Sequence, residues 1–155
     1  MNTNWARWIT ASITKHFDGY KGDLSFYTVE TPKAVDDPEE RVELRVNGPN
    51  FSEPSKNYWM GWVDVQLLLL VQPDDLDAYK NSRFVGQMLT AFTAIQVMKY
   101  GSATVDDDSY VGTLYLNPGL RPKVSVACYG QISPSVKLNY TILNAEYFVD
   151  IVTTT

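Results

Sequence analysis

Cys128 and His16 are the chain's one cysteine and one histidine. A cysteine nucleophile needs a neighbouring base, and His16 is the one imidazole available. Cys128 falls in the segment Lys123–Tyr129, where Val124, Val126 and Cys128 alternate with polar neighbours. That pattern predicts a small buried hydrophobe. His16 falls in the last turn of a helical segment, where positive charge suits the terminal carbonyls, so its expected role is structural. A single cysteine also excludes an internal disulfide and a multi-cysteine zinc site. Asp106-Asp107-Asp108 offers oxygens to Ca²⁺ or Mg²⁺ but lacks the spacing that places alternate carboxylates on one ion, and reads as a solvated loop. Asp74, Asp75 and Asp77 complement the start of a helix. Asp36, Asp37, Glu39 and Glu40 read as a mobile acidic loop. Gly19–Gly22 is too short for a phosphate loop, and no Gly-x-Ser-x-Gly elbow occurs. The expectation is a protein without enzymatic turnover, cofactor or metal.

The composition points the same way. The chain has 155 residues, 45% hydrophobic and 20% charged, as in one soluble globular domain over 1–155. Aromatics reach 13%, more than one core of this size needs, so some rings are expected to face a partner. A net charge of −5 disfavours a nucleic-acid coat. No acid lies between Ser109 and Ala145, where Arg121, Lys123 and Lys137 supply the charge. Such asymmetry suits head-to-tail contact between copies. Charged Arg7 and Lys15 interrupt the first apolar residues, so no signal peptide is expected. The longest apolar run, Leu67–Val71, is far too short for a membrane span. The chain is therefore expected to be soluble, made in a reducing compartment and without a membrane partner. The Asn-x-Ser/Thr matches at Asn50 and Asn139 are then chance.

Helical spacing of Trp5, Trp8, Ile9, Ile13 and Phe17 predicts a helix over about Asn4–Phe17, capped by Thr3 or Asn4 and ended by a left-handed Gly19. Leu24–Val29 reads as a short strand, Thr31–Glu40 as a loop, and Arg41–Asn47 as a strand with Val42, Leu44 and Val46 on one face and Arg41, Glu43 and Arg45 on the other. Gly48–Asn57 reads as a second loop. Tyr58–Gln72 predicts an overlong strand, roughly 50 Å, whose odd positions are apolar throughout and whose even positions are mixed. It projects beyond a single sheet or bends at Gly61. A helix is expected from Asp74 to about Met98, burying Leu76, Tyr79, Val85, Met88, Leu89, Phe92 and Ile95 over the odd face. Ser109–Leu116, Lys123–Tyr129 and Val136–Ile151 read as strands. Asn117–Leu120 carries type II turn residues. The apolar phase of the last strand slips near Leu143-Asn144, which a bulge or turn there explains.

The order of elements, and above all Gln72–Arg83 with its Gln-Pro-Asp-Asp-Leu-Asp-Ala-Tyr opening and Ser82-Arg83, resembles the tail terminator (tail completion, minor tail protein U-like) proteins of long-tailed bacteriophages. The likeness is collinear over about residues 1–150. The loops at Thr31–Glu40 and Gly48–Asn57 and the Asn117–Arg121 turn are longer than that family's. The resemblance implies an α+β fold, a mixed and mostly antiparallel sheet with an N-terminal helix and one long helix on one face, and protruding strands or loops. It also implies a virion protein made in the host cytoplasm. Six copies form a ring on the last ring of the tail tube protein, stop its polymerisation and present a surface to the head–tail connector or stopper. Genomic DNA crosses the lumen unread. Tyr58 and Trp62 on the less covered strand face, Tyr115, and Arg121 facing the Asp36–Glu40 loop of the next subunit are the expected ring contacts. Another neck or tail-tube component is the alternative, and after it a small-molecule-binding α+β domain using the even face of Tyr58–Gln72.

Overall fold

The computed structural model describes residues 1–31, 33–34, 37–74, 76–100, 109–119, 122–133 and 136–153. The elements run α1 (Trp5–Asp18), β1 (Ser25–Thr28), β2 (Arg41–Ser55), β3 (Tyr58–Val71), α2 (Lys80–Leu89), β4 (Ile95–Met98), β5 (Tyr110–Leu116), β6 (Val124–Ser133) and β7 (Val136–Val152). The fold is α+β: two helices and a seven-stranded, mostly antiparallel sheet in the order β1-β2-β3-β7-β5-β4, with β6 also on β7. The only parallel pair among the described residues is β1 with β2.

The apolar stripe of α1 lands as its spacing predicts, with Trp5, Trp8, Ile9, Ile13 and Phe17 buried. Its ends differ from expectation. Asn4 makes no side-chain cap bond; its amide instead donates to Asn2 Oδ1 at 2.9 Å. Gly19 is right-handed at φ −67, because its amide still bonds back to the Lys15 carbonyl, and the left-handed position falls to Gly22 at φ +62.

β2 corrects the loop expected over Gly48–Asn57. The strand continues through it to Ser55 and returns as β3 through Lys56-Asn57, with Asn57 left-handed at φ 65. Two register shifts, between Asn47 and Asn50 and between Ser52 and Ser55, absorb Pro49 and Pro54. A proline lacks the ladder donor, and a bulge is where a strand tolerates one. Arg41 is a second correction. Its side chain is buried rather than solvated, for reasons given below.

In β3, Val63, Val65, Leu67, Leu69 and Val71 are buried and Trp59 is half-buried. At Gly61 a Cβ would lie 2.9 Å from the Phe51 ring and 3.0 Å from Val149, so close packing explains this glycine. The element over this face is not one long helix. α2 spans only Lys80–Leu89, and Leu76 and Tyr79 are exposed at 98% and 75%. Trp5, Trp8, Ile9, Ile13 and Phe17 of α1 share the core with this face, joined by Met88, Ala91 and Phe92. The chain after Thr90 turns into β4, where Ile95 and Val97 are buried and Gln96 is exposed. Phe92 and Ile95 fit a helical period equally well, while Ile95 and Val97 two residues apart fit a strand, and tertiary packing decides.

β7 has no bulge or turn at Leu143-Asn144: its register with β3 is unbroken from Asn139 to Val152. The phase slip is instead a change of buried face. Thr141, Leu143, Ala145, Tyr147, Val149 and Ile151 enter the main core, whereas Val136 and Leu138 join Leu70, Leu68 and Tyr140 in a second cluster on the opposite face. Gly119, which a type II turn would hold at positive φ, lacks it, and its amide donates to Asn117 Oδ1 at 2.9 Å; Leu120, the last residue of that expected turn, lies outside the described residues.

Candidate functional site

The even face of β3 is opposite the main core, and antiparallel pairing carries its residues across the sheet. Trp62 pairs with Phe148 of β7, which pairs with Tyr115 of β5. The three rings form a transverse row, Trp62 to Phe148 5.5 Å between centroids and Phe148 to Tyr115 6.0 Å. Both spacings lie in the range of favourable aromatic pairs. Tyr115 is 52% exposed, and Trp62 and Phe148 are half-buried. Tyr58 lies on the same face and donates its hydroxyl to Asp150 Oδ1 at 2.7 Å. That bond raises the phenol's pKa above its ordinary value. Exposed Asp64 and Asp150 and half-buried Glu146 flank the row, and Glu146 Oε1 accepts from Asn117 Nδ2 at 2.6 Å.

Three of the four expected contact residues thus share the sheet face opposite the main core. Phe148 and Asp150 complete the row and were not singled out from sequence; only the β3–β7 register brings them to Trp62 and Tyr58. Arg121 lies outside the described residues, as do Asp36, Asp75 and Asp106-Asp107-Asp108. This surface holds no nucleophile and base. It can desolvate large rings against a partner, the usual composition of a strong protein contact.

The acidic segment packs at the other end of the sheet. Glu39 accepts from Ser25 Oγ and Tyr27 Oη and pairs with Lys33 at 2.9 Å. The Ser25 bond, then Lys33 and Tyr27, hold its carboxyl down to about 2. The Glu39 bond raises the Lys33 ammonium above its ordinary range, helped by Tyr27. Glu40 pairs with Lys80 at 2.9 Å and accepts from the Gln72 amide. Arg41 reaches the carbonyls of Ala34, Asp37 and Glu39 and pairs with Glu43 at 2.9 Å. A guanidinium buried to 1% exposure is tolerated because its fork is filled. The described acids here are engaged within the chain, not freely solvated.

Cys128 corrects the buried reading: it is exposed on edge strand β6. Thr141 Oγ1 lies 3.6 Å from its sulfur. His16 has the structural place expected, with Nε2–H donating to the Ala91 carbonyl at 2.7 Å. Among the described residues no group of three or more His, Cys, Asp or Glu is placed to hold a metal ion, and no helix is long and apolar enough to cross a membrane. An open groove of about 1070 Å³ lies not on the even face of β3 but between α1 and the β1–β2 edge, lined by Phe26, Val29, Leu44, Val46 and Pro49 among others. No family model matches the chain, and no curated protein matches it.

Proposed function

We propose that the chain is a structural virion protein, a tail terminator whose copies form a ring at the head-proximal end of a phage tail tube. The ring stops tube polymerisation and docks the head connector or stopper, and DNA passes through it unread. The observation that carries this reading is the Trp62–Phe148–Tyr115 row, half-buried to exposed large rings on the sheet face opposite the main core and flanked by carboxylates. A face of that kind serves contact rather than catalysis. The likeness of Gln72–Arg83 to the terminator family supplies the role and the six-copy count, and a net charge of −5 suits a lumen that must release phosphates.

The test is made on particles. Removal of the gene should give tails of uncontrolled length that fail to join heads, and labelled protein should sit at the head-proximal end of normal tails. Tails of normal length without it, or label spread along the tube, would turn the reading towards a tube or other neck component.

A further inference from the structure

Four residue rows run unbroken across five strands. Phe26 of β1 pairs with Val42, then Leu69, Thr141 and finally Cys128 of β6. The neighbouring row runs from Thr28 through Leu44, Leu67 and Leu143 to Val126, and the row between them runs from Tyr27 to Ala127. β1 and β6 are therefore opposite borders of one sheet at one level. Among the described residues each pairs with a single strand. β6 runs antiparallel to β7, and β1 runs with β7, so β6 of one copy meets β1 of an identically oriented copy antiparallel.

β6 lacks the charges and inward lysines that usually guard a sheet edge. On β1, Glu39 and Lys33 engage only the Ser25 and Tyr27 side chains on the non-core side, and Thr31 bonds the Thr28 amide and carbonyl, which leaves the Phe26 level open. β6 reads VSVACYGQIS and β1 reads SFYT, with no charged residue and no proline in either. On β6, Val126 is 42% and Tyr129 56% exposed. The β4 border is different, since α1 covers it and Ser12 Oγ accepts the Met98 amide at 3.0 Å.

We infer that β6 of one copy adds to β1 of the next, so that one sheet continues from subunit to subunit. This deepens the proposed ring and rests on it for the occupant, a second copy of this chain. Three features favour a copy over another partner. The rows match in level, so Cys128 falls opposite Phe26 and Val126 opposite Thr28. Those residues lie on the core side, where the groove between α1 and β1–β2, lined by Phe26, Val46 and Pro49, receives the exposed Val126. The charges also complement: exposed Lys123 precedes β6, and exposed Glu30 follows β1 at the end it meets. The contact uses two different borders of the chain, so it repeats from copy to copy, and strand twist of roughly 20–25° per step makes the series turn rather than run straight.

The test uses the native thiol. Directly opposed residues of an antiparallel pair lie about 4.5–5.5 Å apart between Cα atoms, within the span of a disulfide. A Phe26→Cys variant should on mild oxidation give a ladder of three or more linked chains, collapsing to single chains when Cys128→Ser is added. The unsubstituted chain carries one thiol and reaches dimer at most. Should Phe26→Cys fail to fold, Val126→Cys with Thr28→Cys in a Cys128→Ser background poses the same question one row away. Folded variants that assemble yet yield no species beyond dimer overturn the contact and leave the ring standing. A chain that stays monomeric across a concentration series, and is absent from isolated tails, removes the ring and this contact together.

Discussion

Arg41 holds four acceptors at once: the carbonyls of Ala34, Asp37 and Glu39 and the carboxylate of Glu43. Replacing it by Met strands these groups where water is excluded, and the expected loss is about 3–5 kcal/mol in denaturant unfolding. Lys offers one ammonium in place of a planar fork, so Arg41→Lys should recover little. A loss under about 1 kcal/mol from Arg41→Met contradicts the clamp. Glu39 gives a pH signature. Its folded pKa of about 2 is depressed below the ordinary carboxylate value of 4.5, so its stabilisation is complete above pH 4.5. That stabilisation is lost as pH falls from 4.5 through 2. Thermal melts of the native chain and Glu39→Gln should differ at neutral pH and converge towards pH 2; a constant gap across that interval excludes the network as its source.

Among the elements, β3 buries Val63, Val65, Leu67, Leu69 and Val71 in succession. Leu67 is fully buried between β2 and β7 partners, and Leu67→Ala should cost about 2–5 kcal/mol, read from unfolding midpoints. On the opposite face, Trp62→Ala should leave the fold intact and weaken self-association at least about tenfold, as for a central ring in a contact. Unchanged assembly mass at all concentrations removes Trp62 from the interface. The buried side of β3, the α1 stripe and the strand character of β5, β6 and β7 were legible because period two or 3.6 alone decides them. The length of α2 was not. Its apolar residues at Val85, Met88, Phe92 and Ile95 satisfy a helix, and only the pairing of β4 with β5 shows where the helix must stop. β2 beyond Gly48 was hidden by its prolines, which signal a loop unless a partner strand takes up the bulges. Of the candidate site, Tyr58, Trp62 and Tyr115 were legible as surplus rings. Phe148 was masked by the apolar run of β7, and only cross-strand register reveals which face it takes.

For the whole molecule, the proposed ring predicts an assembly mass six times that of the chain, which native mass spectrometry of the assembled protein measures. Another multiple overturns the copy number alone. Because the proposed contact sets exposed Lys123 against exposed Glu30, association should weaken as salt rises, with exposed charges screened beyond about 10 Å at 0.1 M. Salt-independent assembly would place the contact on the apolar row instead.

β7 lies at the middle of the sheet, holding β3 along one edge and β5 and β6 along the other, yet it is the last of these strands to leave the ribosome. Translation at roughly 5–20 residues per second separates the emergence of β3 from that of β7 by several seconds. During that interval the apolar side of β3 has β2 but lacks its second neighbour, and β6 has no strand to lie on. A nascent chain therefore cannot present the β6 border to a neighbour before its own sheet is complete. Order of synthesis, through the position of one strand, would keep the proposed subunit joining behind folding.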